Sequence, residues 1–277
     1  MDDGVAQGSL PLRPMTVGEV LDAALVLLRT RARLLLGAGL ALAAAEQAVL
    51  YVLRRAARLD SSYIPREGYV PQWLLVVVTG FAAEAMILAV LGGLAAAAAL
   101  PALLGRPVPR PRRPGMPVAA AVATVAVVAG LVCGLGSLAV LPWLLCYPLV
   151  GLAAPVVAVD RAGPGRALLR SARLVLRSGF RPGAIRLLGY VGWLSFRLAL
   201  GLGVQAALDL VPLDVLVWRE LAPVLVWLVV NALAYPILGC LDAVLHLEAR
   251  MRTEGLDIAL SRALRRGESL EPALAVP

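Results

Sequence analysis

The chain has 277 residues, of which 60% are hydrophobic and only 16% are charged. Its mean hydropathy is +0.84, and a soluble domain, in which roughly 45–50% of residues are apolar, could not bury so much apolar surface. The composition therefore excludes an ordinary soluble protein and predicts an all-α, polytopic membrane protein. The net charge is +8, but the arginines border apolar segments, so the expected partner is anionic lipid and not nucleic acid.

The basic residues are of one kind, since all 26 are arginine and none is lysine. Together with abundant alanine, leucine, glycine and proline, this usage is typical of a GC-rich bacterium such as an actinobacterium. The cysteines, Cys133, Cys146 and Cys240, lie in apolar runs at spacings that match no zinc motif, so no metal or cofactor is predicted. Residues 1–32 hold no uncharged apolar core followed by a cleavage site, and we expect no cleaved signal peptide.

The N-terminal segment predicts a short helix at the membrane surface. Residues 1–15 are polar and contain proline, and we expect them to be flexible. Thr16 and Glu19 have the spacing of a capping box, in which each side chain binds the other residue's backbone amide. One side of the following helix carries Val17, Leu21, Leu25 and Leu28. Directly before the first long apolar run stand Arg29, Arg31 and Arg33.

Six apolar segments are long enough to cross about 30 Å of hydrocarbon as helices. Residues 118–159 hold 42 positions without a charge, which is too long for one span and predicts two spans with a turn near 134–137. The second of these carries three prolines, and we expect it to be kinked. The predicted spans cover about 34–53, 73–98, 118–133, 137–158, 187–208 and 221–245, in a single domain of residues 16–252 that a cytoplasmic tail, 253–277, follows.

The stretch between the fourth and fifth spans, residues 161–186, carries seven arginines and no acidic residue. The flanking apolar side chains are Leu168, Leu169, Val175 and Leu176. This pattern is typical of a helix lying flat at a membrane, with apolar side chains toward lipid and guanidinium groups toward anionic headgroups. A positive-inside loop that only fixes orientation would carry the same charge. The residues predicted to bind anionic lipid or a partner protein form one helical stripe, Arg166, Arg170, Arg173 and Arg177.

The distribution of arginine predicts the orientation of the chain. With six spans, the side that holds both termini carries 20 arginines outside the spans, and the opposite side carries 5. Because cytoplasmic loops carry an excess of arginine and lysine, both termini are predicted to be cytoplasmic. The expected location is the plasma membrane of a bacterium.

Charged residues inside spans are costly, roughly 2.5–3.5 kcal/mol each at mid-span on insertion scales. Glu46, Glu84 and Arg197 lie at depths of about 18, 21 and 15 Å from one edge of the membrane, and Asn231 lies at a similar level. These depths predict an intramembrane polar cluster with a buried Glu84–Arg197 pair and Glu46 as a second acceptor. Such a cluster could fix helix packing, or it could bind a headgroup, an ion or a proton.

Two stretches carry a family resemblance. Residues 14–25 (PMTVGEVLDAAL) and 246–257 (HLEARMRTEGLD) resemble the opening and closing motifs of the membrane domain associated with glycerophosphoryl diester phosphodiesterases. Glu248 stands where the closing motif has its first aspartate, and residues 168–176 are similar to the family's basic amphipathic segment. Members of this family often occur without the phosphodiesterase. The resemblance therefore implies the membrane fold but no activity, since only about thirty residues follow the sixth span and the family's catalytic residues have no counterpart.

No motif of catalysis stands in the chain: G-x-S-x-G, H-E-x-x-H, C-x-x-C and a phosphate-binding glycine loop do not occur. The single histidine, His246, could pair with Asp242 at i, i+4 as an interfacial anchor. The sequence thus predicts a protein that is not an enzyme, a scaffold or assembly subunit with a basic cytoplasmic face. In this interpretation the protein binds a membrane-protein partner or a second copy of itself. The alternatives are a small transporter or channel subunit that uses the Glu/Arg cluster and an intramembrane enzyme acting on lipid with the same carboxylates.

Overall fold

The structure is a computed structural model and describes residues 13–59, 68–103, 116–210 and 216–267. Within these residues the chain forms helices and no strand, which confirms the all-α fold. The predicted flexible N-terminus and cytoplasmic tail lie partly outside the described residues. The helices are α1 (Val17–Thr30), α2 (Ala32–Ala56), α3 (Val70–Leu103), α4 (Met116–Gly136), α5 (Val140–Val150), α6 (Ala153–Asp160), α7 (Pro164–Arg177), α8 (Arg181–Leu210), α9 (Leu216–Glu254) and α10 (Leu256–Arg266).

Six segments are long and apolar enough to cross a membrane, so the protein is a multi-pass membrane protein as predicted. The third and fourth segments meet at a turn over residues 137–139, close to the predicted position. The fourth segment consists of α5 and α6 in succession. The six segments are Ala32–Ala56, Val70–Ala99, Pro117–Gly136, Val140–Asp160, Arg181–Val204 and Leu221–Glu254.

Two helices extend about two turns beyond the spans that the sequence predicts. The fifth span was expected to begin at residue 187, but α8 begins at Arg181. The sixth was expected to end at residue 245, but α9 continues to Glu254. In both places the helix continues through charged residues because these residues are paired with opposite charges on neighbouring helices.

The centre of the bundle is formed by α3 and α9, which pack against each other. Around them, α2 contacts both, α4 and α6 lie against α3, and α1 and α8 lie against α9. The carbonyl of Met15, just before α1, accepts hydrogen bonds from Arg181 and Arg252, at the start of α8 and near the end of α9 (both 2.9 Å). These contacts place α1, α7 and α10 at one end of the bundle. We call this end, with the adjoining ends of α8 and α9, the terminal face.

Helix α1 begins with the predicted capping box. The Thr16 amide donates to the Glu19 carboxylate (2.7 Å), and the Glu19 amide donates to the Thr16 hydroxyl (3.3 Å). Arg13 also donates to this carboxylate, and together these bonds lower the pKa of Glu19 to about 2. On the predicted apolar side of α1, Leu21 and Leu25 are exposed, whereas Val17 and Leu28 are partly buried against the core. The buried side holds Val20, Ala23, Ala24 and Leu27.

Close packing of helix backbones depends on a few glycines. A Cβ on Gly39 of α2 would lie 2.5 Å from Cγ of Pro236 on α9. A Cβ on Gly239 of α9 would lie 2.8 Å from Cβ of Leu91 on α3. These two glycines therefore allow α9 to approach α2 and α3 more closely than any larger residue would permit.

Gly39→Ala is expected to lower the free energy of unfolding by about 1–3 kcal/mol, because the added methyl group overpacks the contact with Pro236. Gly37→Ala is the matched control, since it lies on the same helix and its Cβ would meet nothing within 4 Å. Thermal unfolding of both variants in detergent, followed by tryptophan fluorescence, checks the prediction. Equal melting temperatures for the two variants would contradict this packing.

Candidate functional site

The four predicted intramembrane polar residues come from four helices and lie close together. Glu46 is on α2, Glu84 on α3, Arg197 on α8 and Asn231 on α9. The three charged side chains belong to residues that are only 4–5% exposed, and Asn231 is completely buried. The structure thus brings the whole predicted set into the interior of the bundle, where it forms two adjoining groups.

The first group is an ion pair between α8 and α3. Arg197 donates to one carboxylate oxygen of Glu84, and the hydroxyl of Tyr190 donates to the other (2.7 Å). The guanidinium carbon of Arg197 lies 3.5 Å from the ring centre of Trp227 and 4.9 Å from that of Trp193. Paired and stacked in this way, the arginine charge is compensated by the carboxylate and the two indole rings.

The second group surrounds Glu46 with neutral donors. The hydroxyl of Tyr235 lies 2.9 Å from both carboxylate oxygens, and the side-chain amide of Asn231 donates at 3.0 Å. Glu46 does not form an ion pair with Arg197, so its predicted role as a second acceptor for that arginine is wrong. Depth along the membrane placed these residues at one level, but the direction in which each helix faces decides which of them touch.

Aromatic rings enclose both groups. Ring centres 4.8–5.7 Å apart connect Trp143, Tyr147, Tyr190, Trp193 and Tyr235 in a continuous series across α5, α8 and α9. Sequence reasoning missed these residues, although a signal existed. Tyr190 and Trp193 precede Arg197 at helical spacings of seven and four, and Tyr235 follows Asn231 by four, so each lies on the same face as a polar residue.

A second buried ion pair was not predicted. Arg186 on α8 donates to both carboxylate oxygens of Asp242 on α9 (2.6 and 3.1 Å) and also to the carbonyl of Tyr147. Arg186 was assigned to the basic stretch outside the membrane, and Asp242 was paired with His246. Instead, Arg186 is buried within α8, and Asp242 pairs with it and not with His246. The sequence did contain a signal for this pair, because an acid inside a span, such as Asp242, requires a donor at the same depth.

Arg186 and Ser171 bind backbone groups at the break between α5 and α6. The helix is interrupted at residues 151–152, four and three residues before Pro155, which has no amide hydrogen to continue the ladder. Ser171 on α7 donates to the carbonyl of Leu149 (2.5 Å) and accepts from the amide of Leu152 (3.1 Å). The side chain of Arg186 occupies the space that a Cβ on Gly151 would need. The backbone groups freed by the expected kink are therefore bound by the protein's own side chains.

An ion network closes the terminal face. Asp160, at the end of α6, accepts from Arg170 and Arg250 (2.7 and 2.8 Å) and lies 3.3 Å from Nε2 of His246. Glu254 accepts from the same two arginines (both 2.8 Å). A second group lies beside it, in which Glu248 pairs with Arg181 and Arg252.

The arginines of the predicted stripe on α7 lie in two environments, the ion network and the exposed surface. Arg170 is engaged in the ion network, whereas Arg166, Arg173 and Arg177 are exposed. The expectation that four flanking apolar residues face lipid is only half right. Val175 is fully buried and Leu168 packs against the core. The exposed pair is Leu169 and Leu176, each 62% exposed.

No protein-family model, curated protein or solved structure matches this chain. In the residues that the structure describes, no group of three histidine, cysteine, aspartate or glutamate side chains is arranged to hold a metal ion. The site is therefore defined by its own geometry, as a buried polar cluster in the bundle and an exposed arginine stripe at one end of it.

The Glu84–Arg197 pair is open to a double-mutant test. Glu84→Gln and Arg197→Gln are each expected to cost about 3–5 kcal/mol of unfolding free energy, because each leaves an uncompensated charge in the bundle. The double variant should recover most of this loss, since no charge then remains unpaired. Thermal unfolding of the four proteins in the same detergent measures the coupling. Additive losses, with no recovery in the double variant, would contradict a pair of this kind.

Proposed function

We propose that this protein is a non-catalytic integral membrane protein, a scaffold or assembly subunit whose basic terminal face binds anionic lipid or a partner protein. The observation that carries the proposal is the composition of the exposed side of α7. It presents Arg166, Arg173 and Arg177 together with Leu169 and Leu176. Guanidinium groups beside exposed leucines suit a helix that lies in the interface between lipid and water.

The ion network supports this assignment because it separates structural arginines from available ones. Three acids of the terminal face, Asp160, Glu248 and Glu254, are occupied by arginines of α7, α8 and α9. The outward arginines of α7 are absent from these ion pairs. The charge that remains on this side of the molecule is therefore positive and unneutralised within the network.

A transporter or channel subunit is the second candidate, and the surroundings of Glu46 favour it. Its donors are neutral, and the amide oxygens of Gln47 and Asn231 have no hydrogen-bond partner within the described part of the chain. Carboxylate and amide oxygens of this kind could accept a proton or a cation. The enclosure of Glu46, Glu84 and Arg197 by packed helices and rings weighs against a water-filled path and supports the scaffold.

We further propose that the protein lies in a bacterial plasma membrane with both termini in the cytoplasm, the side with the arginine excess. The resemblance to the membrane domain associated with glycerophosphoryl diester phosphodiesterases agrees with a membrane role and assigns no reaction. It stays a prediction.

The orientation can be tested with single cysteines in a variant that lacks the three native ones. Ala139→Cys lies in the turn between the third and fourth spans, and Arg262→Cys lies on α10 at the terminal face; both positions are exposed. A membrane-impermeant maleimide added to whole cells is expected to label the first site. The second should react only after the cells are permeabilised, and the reverse result would place the termini outside.

Removal of the exposed α7 arginines tests the scaffold's lipid-binding face. The triple variant Arg166→Gln, Arg173→Gln, Arg177→Gln should reduce the preference for phosphatidylglycerol over phosphatidylcholine, because each arginine near an anionic surface contributes about 1 kcal/mol. Electron paramagnetic resonance of spin-labelled lipids in vesicles measures this preference. The control with the same loss of charge is Arg262→Gln, Arg265→Gln, Arg266→Gln on α10.

If the α7 variant and the α10 control lower the preference equally, the stripe contributes no more than the other arginines of the terminal face and is not a distinct lipid-binding surface. If the lipid preference of the α7 variant is unchanged but a copurifying protein is lost, the partner-protein form of the proposal is favoured. Retention of both lipid preference and partner would overturn the role of α7.

A further inference from the structure

A recess of about 400 Å³ lies at the corner between α1 and α2. It is lined by six consecutive residues, 29–34, three of which are arginines and none of which is acidic. The corner belongs to the terminal face, where α1 ends and the first span begins. This recess is separate from the α7 stripe, because none of its lining residues comes from α7.

Two arginines of this corner, Arg29 and Arg33, differ from the ion-paired arginines elsewhere in the protein. Arg170, Arg186 and Arg197 each bind a carboxylate. In the ranges that the structure describes, Arg29 and Arg33 are exposed and form no ion pair. Arg31, between them, is partly buried, and this burial lowers the pKa of its guanidinium group. An anion in the recess would offset the mutual repulsion of these positive charges.

The backbone at the corner also favours the binding of an anion. The last carbonyls of α1 would repel one, but the Leu27 carbonyl accepts from the Thr30 hydroxyl (2.7 Å) and the Leu28 carbonyl accepts from the Arg31 amide (3.1 Å). No side chain caps the N-terminus of α2, which begins at Ala32 inside the recess. The partial positive charge of that helix end is thus added to the charge of the arginines.

The surface next to the recess is apolar, which distinguishes a lipid from a free anion. Leu34 lines the recess, and the α2 surface below it continues through exposed Gly37, Leu40 and Ala41. Leu40 is 52% exposed, and Leu25 of α1 is exposed nearby along the chain. A molecule with a phosphate at the corner could therefore lay its acyl chains along the first span.

We propose that the α1–α2 recess binds the phosphate group of one anionic membrane lipid, held by Arg29, Arg31 and Arg33, with its acyl chains along α2. Arginine suits this group because its planar fork of donors matches two phosphate oxygens. The site holds one molecule, whereas the α7 stripe contacts the headgroup region as a surface. The two can be tested apart.

The test uses the full-length protein, delipidated in a neutral detergent and mixed with phosphatidylglycerol, and counts bound lipid by native mass spectrometry. The wild-type protein should retain one tightly bound lipid. In the variant Arg29→Gln, Arg33→Gln this binding should weaken on the order of thirtyfold. Arg29→Lys, Arg33→Lys, which keeps the charge but loses the planar fork, should give an intermediate affinity. The control Arg262→Gln, Arg265→Gln on α10 removes the same charge and should bind like the wild type.

Unchanged binding in the Arg29→Gln, Arg33→Gln variant, with a monodisperse elution profile that shows it is folded, would overturn the proposal. Equal loss in the α10 control would also overturn it, since net charge would then explain the effect. Inorganic phosphate, titrated in place of the lipid, should bind at least tenfold more weakly, and equal binding would mean that the recess takes a soluble phosphate and not a lipid. The α7 triple variant should keep the single tight lipid, so a failure of the stripe leaves this test intact.

Discussion

The pairing of arginine with carboxylate inside the bundle is the constraint on which the position of α8 depends. This helix packs along α9 and touches α5 and α7, and it reaches α3 through long polar side chains. Arg197 binds Glu84 of α3, and Arg186 binds Asp242 of α9, so two ion pairs fix its rotation and its height. An unpaired guanidinium in hydrocarbon is costly enough that alternative rotations of α8 are excluded. The buried charges therefore specify packing in a bundle whose apolar surfaces alone would not distinguish one neighbour from another.

The terminal face follows the same rule with a different outcome. Carboxylates on α6 and α9 bind the arginines that point inward, and the arginines left over define what the molecule presents to its surroundings. On α7 this division runs through a single stripe, in which Arg170 is internal and Arg173 external. The number of arginines in the chain is thus less informative than the number of acids placed to meet them. The basic face is formed by the arginines that the carboxylates of the fold do not bind.

The architecture was readable from the sequence because hydropathy, span length and the Thr16–Glu19 capping box are local signals. The level of Glu84 and Arg197 in the membrane was also accessible, since rise per residue converts position into depth. Rotation about each helix axis is not local, and it decided that Glu46 binds Asn231 and Tyr235. The Arg186–Asp242 pair was missed for a related reason. A charged residue near the edge of a hydropathy window is assigned to water unless its partner is already known.

The interruption of the fourth span has a consequence for the order in which the chain assembles during synthesis. The backbone groups at this gap are satisfied by Ser171 and Arg186, which lie later in the sequence than the span itself. When α5 and α6 first leave the ribosome, the side chains that bind the Tyr147 and Leu149 carbonyls have not yet been synthesised. The hairpin that they form with α4 is complete only after the following two helices arrive. Biogenesis of the membrane domain is therefore coupled across its two halves, and a chain truncated before α8 carries an unfinished segment in the bilayer.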